Sequence, residues 1–149
     1  MKRMLALFAL VLVAAMVAHP ARFAEAGSPP AAGGPYRVVF DLTSRDSLDQ
    51  KAVVRWLTEI SASNPDAKME VVMYGKGFEL VMPDRSTMLA EVRQAARNPN
   101  ISFKVCQVAL KNNRLERSQL IDEAQVVPDG IREIVTKQQQ GWGYIKVGH

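Results

Sequence analysis

Apolar and polar residues along this chain follow two different periods, and stretches with one period alternate with stretches that have the other. Short runs rich in Val, Ile, Phe and Tyr predict strands at 36–42, 68–74, 101–105, 124–127 and 142–147. Longer stretches with apolar residues spaced three and four apart predict amphipathic helices between the strands. These helices are predicted to begin at 46 or 47, at 83, at 107 and at 128, and an Asn or Gly ends each of them.

The exchange of strand and helix predicts the fold class. A chain that alternates in this way builds βαβ units with right-handed crossovers. We therefore expect an α/β fold with a mostly parallel five-stranded sheet, covered by helices on both faces, in one domain over residues 36–149. Residues 27–35, rich in Gly, Pro and Ala, are predicted to form a flexible leader with no means of packing.

Residues 1–26 have the pattern of a secretory signal peptide. A basic start, Met1-Lys2-Arg3, precedes an apolar run from Met4 to Val17, and Ala24-Glu25-Ala26 fits the rule of small residues around the cleavage site. An uncleaved membrane anchor is the alternative, but the apolar run is shorter than the roughly 20 residues that span a bilayer. We expect cleavage after Ala26, a periplasmic or secreted protein, and no membrane contact after cleavage.

Composition and charge serve mainly to exclude some classes of partner. A hydrophobic content of 48% and 23% charged residues are ordinary for one globular domain. The net charge is +4 for the whole chain and +2 once residues 1–26 are removed, and no run of Lys or Arg remains. A surface that is so weakly and evenly charged does not favour nucleic acid as a partner.

The supply of catalytic residue types is small. The chain has a single cysteine, Cys106, and after residue 26 its only histidine is His149. A Ser-His-Asp or Cys-His catalytic set would have to use that terminal histidine, and a Cys/His zinc site has too few ligands. We therefore predict no metal site and no cofactor. Asp41, Asp46 and Asp49 follow the first strand, where we expect helix caps and turn formers rather than a catalytic pair.

Two predicted strands end at residues that are suited to chemistry. The third strand ends at Cys106, and the second ends at Tyr74, before Gly75-Lys76-Gly77. The carboxyl ends of parallel strands lie along one edge of a sheet, where ligands bind. A thiol that precedes a helix also sits near the positive end of the helix dipole, which favours the nucleophilic thiolate. Burial of Cys106 as a small, inert hydrophobic side chain, or its pairing to another chain, stays open as an alternative.

The other candidate site residues surround these two strand ends. The loop at 75–77 matches neither a P-loop nor a G-x-G-x-x-G sequence, so it is either a backbone pocket wall with a lysine at its mouth or a tight turn with positive φ. Trp142 is either an exposed ring for stacking or a ring buried at the sheet edge. The candidate binding pocket consists of Tyr74, Gly75, Lys76, Gly77, Gln107 and Trp142.

Four segments together resemble the DsrE/DsrF-like family, in particular its small exported single-domain branch. They are Val-Val-Met-Tyr-Gly-Lys-Gly-Phe-Glu-Leu (71–80), Ile-Ser-Phe-Lys-Val-Cys (101–106), Val-Pro-Asp-Gly-Ile (127–131) and Gln-Gly-Trp-Gly-Tyr-Ile (140–145). The similarity covers about residues 36–147. It implies a three-layer α/β/α sandwich and a homo-oligomer, either a trimer or a hexamer. It also implies that Cys106 accepts a persulfide sulfur, as in the related sulfur-relay DsrE/TusD proteins.

Two functions follow as hypotheses. The first is an exported, sulfurtransferase-like carrier that holds or transfers sulfane sulfur as a persulfide on Cys106, with a sulfur donor or acceptor protein as its partner. The second is a non-catalytic oligomeric module that binds a small ligand or a neighbouring subunit at the sheet edge, with Cys106 buried and structural. The first predicts a thiol that reacts in the native protein, and the second predicts one that does not.

Overall fold

The computed structural model describes residues 34–148. Its elements are β1 (Arg37–Leu42), α1 (Ser47–Ser63), β2 (Lys68–Met73), a 3₁₀ helix (Gly77–Val81), α2 (Leu89–Ala96), β3 (Ile101–Cys106), α3 (Gln107–Asn112), a second 3₁₀ helix (Arg117–Gln119), β4 (Ala124–Val127), α4 (Gly130–Gln139) and β5 (Gly143–Val147). The predicted signal peptide, most of the predicted leader and His149 lie outside these residues. Within them, no helix is long and apolar enough to cross a membrane.

The five strands of the described chain form one sheet in the order β4-β3-β2-β1-β5, and every pair of neighbours is parallel. The predicted α/β fold is confirmed. Strands β1 to β4 are added in one direction, and the last crossover, through α4, returns across the sheet to place β5 beside β1. Because right-handed crossovers in opposite directions put their helices on opposite faces, α4 lies opposite α1 and α2.

The two faces of the sheet are covered unequally. The larger core forms under α1 and α2, where Phe40 and Phe78 are among the fully buried side chains. On the other face, α4 contacts β1, β2, β3 and β5. The buried apolar residues of the smaller core on that face are Val39, Val72 and Ile134. Much of this second face therefore consists of polar side chains.

The largest local difference from the predicted elements lies between β2 and α2. The sequence predicts a helix from Pro83, but α2 begins at Leu89, and the chain first forms the 3₁₀ helix Gly77–Val81. Phe78 and Val81 are both fully buried. Because residues three apart eclipse each other in a 3₁₀ helix, this turn directs both side chains into the core. The apolar spacing that predicts an α-helix does not detect a turn of this kind.

A helix on each face of the sheet begins at an aspartate. Asp46 precedes α1, and its Oδ1 accepts a hydrogen bond from the N–H of Leu48 at 2.7 Å. Asp129 precedes α4, and its Oδ1 accepts from the N–H of Ile131 at 2.9 Å. Pro128 therefore lies before α4, whereas the sequence predicts it in the first turn. Caps of this kind stabilise a helix by about 1 kcal/mol each.

Candidate functional site

Cys106 is the last residue of β3, and the neighbouring strand β4 is where the chain changes from one face of the sheet to the other. After β3 the chain enters α3, whose Ala109 and Leu110 join the larger core. After β4, the neighbour of β3, it enters α4 on the opposite face. Connections that leave adjacent strands toward opposite faces open a crevice between them, and open α/β sheets bind ligands in such crevices. The thiol therefore lies where this architecture forms binding sites.

A cavity of about 260 Å³ occupies this crevice. Its lining residues come from the ends of β2 and β3, from α3 and from the start of α4: Tyr74, Gly75, Cys106, Val108, Ala109, Asn112, Asn113, Asp129 and Ile131. Val108 and Ile131 are partly exposed and supply apolar walls. The volume lies just below the range of roughly 300–1,000 Å³ for drug-sized ligands, so it suits a small ligand.

A larger groove, of about 500 Å³, runs between α1 and α2. Its walls include Val54, Leu57 and Ile101. Ile101 begins β3 whereas Cys106 ends it, so this groove lies away from the thiol. The smaller cavity is the better candidate site because it holds a nucleophilic side chain at the carboxyl edge of the sheet.

The thiol is almost completely covered by protein. Cys106 is 5% exposed, and Gly130, the first residue of α4, lies directly against it. A Cβ at position 130 would be 3.0 Å from the Cβ of Cys106 and 3.6 Å from its Sγ. This close approach leaves little room for a side chain at position 130 and makes α4 one side of the enclosure around the thiol.

The three residues of the glycine loop have three different environments. Gly75 adopts a left-handed φ of 58° and lines the cavity. Lys76 donates a hydrogen bond from Nζ to Oδ1 of Asn113 at 2.6 Å, which ties the loop to the end of α3 beside the cavity. Gly77 packs on β1 instead, because a Cβ there would be 2.0 Å from the carbonyl oxygen of Leu42. The loop is thus both a tight turn and a pocket wall.

Asp41 is neither a cap nor a turn former, in contrast to the sequence-based expectation. It is 3% exposed, and its Oδ2 accepts hydrogen bonds from the hydroxyls of Tyr74 at 3.1 Å and Tyr144 at 2.6 Å. Its Oδ1 is buried and has no hydrogen-bond partner within residues 34–148. Since Tyr74 also lines the cavity, this triad joins β1, β2 and β5 and fixes the tyrosine ring beside the thiol.

Both tyrosine hydroxyls stay protonated far above neutral pH. Burial, followed by the charge and the hydrogen bond of Asp41, raises the pKa of Tyr74 to about 12. The hydrogen bond to Asp41, followed by burial, raises the pKa of Tyr144 to about 12 as well. Tyr74 is therefore a neutral wall of the cavity, and its hydroxyl hydrogen is directed at Asp41.

We expect the Asp41→Asn variant to lower the pKa values of Tyr74 and Tyr144 toward the ordinary 10.0, because an amide carries no charge that opposes the phenolate. Since the folded values lie above the unfolded value, both tyrosines stabilise the fold below pH 10.0, and this contribution is lost as the pH rises through about 12. Phenolate absorbance during an alkaline titration measures the change. Asp46→Asn keeps its helix cap and serves as the control; unchanged pKa values in Asp41→Asn would contradict the network.

Three of the predicted pocket residues lie outside the cavity: Gly77, which packs on β1, Gln107 and Trp142. Gln107 is exposed and borders a different groove, with Lys111 and Arg114. Trp142 precedes β5 at the amino-terminal edge of the sheet, opposite the edge of Cys106, and its half-buried ring packs on the smaller core with Lys137 Nζ 4.6 Å from the ring centre. The structure brings Cys106 together with Tyr74, Gly75 and the Lys76–Asn113 contact. It does not bring Gly77, Gln107 or Trp142 into the cavity.

Sequence reasoning misses the buried partners on the polar face of the sheet. Asp41 binds two tyrosines, and Glu70 on β2 is 2% exposed and pairs with Lys137 of α4. A signal for both carboxylates is present in the sequence. Each is an isolated acidic residue among the apolar residues of a strand, and carboxylates are almost never fully buried without a partner.

No protein-family model and no curated protein matches the chain. Several solved structures are similar to it, including the following two. MTH1491 from Methanobacterium thermoautotrophicum, a protein of unknown function, is 26% identical with a TM-score of 0.70, and the match covers 74% of this chain and 98% of that one. BT1422 from Bacteroides thetaiotaomicron, a conserved protein of unknown function, is 16% identical with a TM-score of 0.60, over 74% and 94% of the two chains. These similarities agree with the fold and assign no activity.

Proposed function

We propose that this protein is an exported DsrE-like sulfur carrier, which takes up sulfane sulfur as a persulfide on Cys106 and passes it to a second thiol. The observation that carries the proposal is the position of the thiol, which ends β3 beside β4, where the chain changes from one face of the sheet to the other, and lines a cavity of about 260 Å³. The signal-peptide pattern of residues 1–26 supports export.

Sulfur uptake on Cys106 is a displacement at sulfur. The Cys106 thiolate attacks the outer sulfur of a donor R–S–SH, a new S–S bond forms on Cys106, and the S–S bond of the donor breaks. The electron pair of the broken bond leaves with R–S⁻, which then takes up a proton. An acceptor thiolate attacks the Cys106 persulfide in the same way and releases the Cys106 thiolate. The two steps consume no net oxidant or reductant.

The walls of the cavity suit this reaction. Val108, Ala109 and Ile131 are apolar, and the 5% exposure of Cys106 limits the water around a persulfide that would otherwise react further. Tyr74 stays neutral because its pKa is about 12, and it therefore adds no negative charge beside a sulfur anion. The small volume and the burial of Cys106 favour a donor with a short substituent over a donor that must bring a protein surface to the thiol.

Sulfur transfer by the mature chain tests the proposal. After incubation with polysulfide and removal of the excess donor, we expect the native protein to yield a stoichiometric amount of thiocyanate when cyanide is added. Cys106→Ser should yield none, because a hydroxyl cannot hold sulfane sulfur, while its circular dichroism stays that of the native fold. Equal thiocyanate from both proteins, or none from the native one, would rule out Cys106 as the carrier.

The low exposure of Cys106, 5%, favours a second function. A non-catalytic module that holds a small ligand in the same cavity, or a second copy of the chain beside it, needs no reactive thiol. Exposed apolar side chains near the cavity suit a contact of this kind: Val108, Ile131 and Val135. The family resemblance implies that such a module would be a trimer or a hexamer. Ligand retention or oligomer size that is unchanged in Cys106→Ala, together with no sulfur uptake, would favour this function.

A further inference from the structure

A buried ion pair on the polar face of the sheet has no part in the proposed chemistry. Glu70 of β2 is 2% exposed, and its Oε2 lies 3.0 Å from Nζ of Lys137 on α4. Ser102 of β3 donates a hydrogen bond from Oγ to the same oxygen at 3.0 Å. The second oxygen, Oε1, is buried and finds no hydrogen-bond partner in the described part of the chain. The pair thus connects α4 to β2 and β3 beneath the helix.

The ammonium group of Lys137 is largely withdrawn from water. Its side chain is 19% exposed, and Glu133, one turn earlier on α4, places Oε1 3.5 Å from Nζ. The ring of Trp142 lies on another side, with its centre 4.6 Å from Nζ. Removal of Lys137 would therefore leave Glu70 as a buried carboxylate without its cation, which is far less favourable than the intact pair.

Apolar packing holds α4 on the sheet weakly. Among the large apolar side chains of α4, Ile134 is buried, whereas Ile131 and Val135 are 59% and 46% exposed. The sheet contributes Val39 and Val72 to the same small cluster. Little apolar contact therefore opposes an uncompensated charge that would lift the helix from the sheet.

The opposite end of the same helix covers the thiol. Gly130 lies against Cys106 and Val72, and a Cβ at this position would lie 3.0 Å and 3.3 Å from their side chains. Gly130 and Lys137 belong to one uninterrupted helix, Gly130–Gln139, about two turns apart. A movement that lifts α4 from the sheet must also open one side of the enclosure around Cys106.

We propose that Lys137 is a positioning residue: by compensating the buried charge of Glu70, it keeps α4 closed over Cys106 and so controls access to the thiol. The inference rests on the proposed function in treating Cys106 as the reacting group. Thiol labelling measures access to Cys106, and thiocyanate release measures sulfur transfer. Either proposal can therefore fail while the other stands.

Loss of Lys137 should also make access depend on pH. Burial raises the pKa of Glu70 above the ordinary 4.5, while Lys137 lowers it and Glu133 raises it. Without Lys137 the pKa rises further, so mild acid neutralises Glu70 and removes the unpaired buried charge. The other titratable or charged groups that strand alternation places on this face are Arg37, Asp41, Lys68, Lys104, Cys106, Tyr144 and Lys146.

The experiment measures how fast Cys106 is labelled by an aromatic disulfide that still reacts with thiols in mild acid. The protection of Cys106 is the labelling rate in the unfolded chain divided by the rate in the folded chain. In Lys137→Met, which keeps an apolar stem, we expect the protection of Cys106 at neutral pH to fall about tenfold or more, because one charge of a buried pair remains uncompensated. Protection should return in mild acid. It should also return at every pH when Glu70→Gln is added to Lys137→Met.

Two control variants separate this effect from general destabilisation. Lys137→Arg keeps the charge and should protect Cys106 as well as lysine does. Arg55→Met breaks the exposed Arg55–Glu59 pair of α1, in which the two atoms lie 3.6 Å apart, and should leave protection unchanged. The proposal is overturned if Lys137→Met protects Cys106 as well as the native chain does. It is also overturned if Lys137→Met loses protection and neither mild acid nor the added Glu70→Gln restores it.

A measurement on the unchanged sequence keeps the proposal testable if Lys137→Met does not fold. A helix of ten residues that is lifted from the sheet does not stay helical in water, so the same movement opens its amides and uncovers Cys106. Hydrogen exchange of the α4 amides and labelling of Cys106 in the native chain should then report the same opening free energy. Thiol labelling that proceeds through a much more frequent opening than α4 exchange would overturn the proposal, since α4 would then not be the cover.

Discussion

Replacement of Gly77 by alanine is expected to destabilise the fold by about 4 kcal/mol or more, at the upper end of what single substitutions cause. A Cβ at this position would lie 2.0 Å from the carbonyl oxygen of Leu42 and 2.7 Å from its carbonyl carbon. Both are backbone atoms at the end of β1, which is held between β2 and β5. Neither strand nor loop can move away without breaking sheet hydrogen bonds or exposing the core.

Denaturant unfolding of Gly77→Ala and Gly143→Ala measures this effect against a matched control. Gly143 lies on β5, and a Cβ there would be 3.5 Å from the carbonyl oxygen of Arg37, which is an ordinary contact. We therefore expect Gly143→Ala to retain most of the stability. Similar losses in the two variants would show that the close approach of Gly77 to β1 is not what makes glycine necessary.

The Gly130→Val variant is expected to lose about 1–3 kcal/mol of stability through overpacking and, at the same time, to uncover the thiol. A Cβ at position 130 would lie 3.0 Å from the Cβ of Cys106 and 3.3 Å from Cγ1 of Val72. The two methyl groups of valine need still more space, and α4 is the element that can yield. Cys106 should then react faster in the native chain than it does with glycine at position 130.

Unfolding curves and native thiol labelling together measure the Gly130→Val effect. Gln138→Val is the control, because it places a valine in the same helix at an exposed position that does not line the cavity, so it should change neither quantity much. A Gly130→Val variant whose Cys106 is labelled as slowly as in the native chain would contradict the assignment of α4 as the cover of the thiol.

The fold could be predicted because it depends on local periods. Each strand is a short apolar run and each helix has its own stripe, and the alternation of the two is enough to predict a parallel sheet. The 3₁₀ helix Gly77–Val81 escaped prediction because its apolar residues are adjacent and follow neither period. The unequal covering of the two faces follows from the order of the strands, which the alternation does not specify.

The candidate site could be predicted in part, and for a clear reason. Cys106 ends one strand and Tyr74 follows the end of its neighbour, and parallel strands end at the same edge of a sheet, so the sequence predicts their proximity. Trp142 precedes a strand, and the same rule puts it at the opposite edge. The pairs Asp41–Tyr144 and Glu70–Lys137 join residues far apart in the chain. A period tells which face a side chain occupies, but not which partner meets it there.

The most direct test of the account is the mass of the native chain after exposure to a sulfane-sulfur donor, followed by digestion with trypsin. The account predicts a gain of a single sulfur atom, carried by the peptide from Val105 to Lys111 that contains Cys106. No gain in the native chain, together with labelling of Cys106 after denaturation alone, would contradict the account and leave Cys106 as a structural residue of the core.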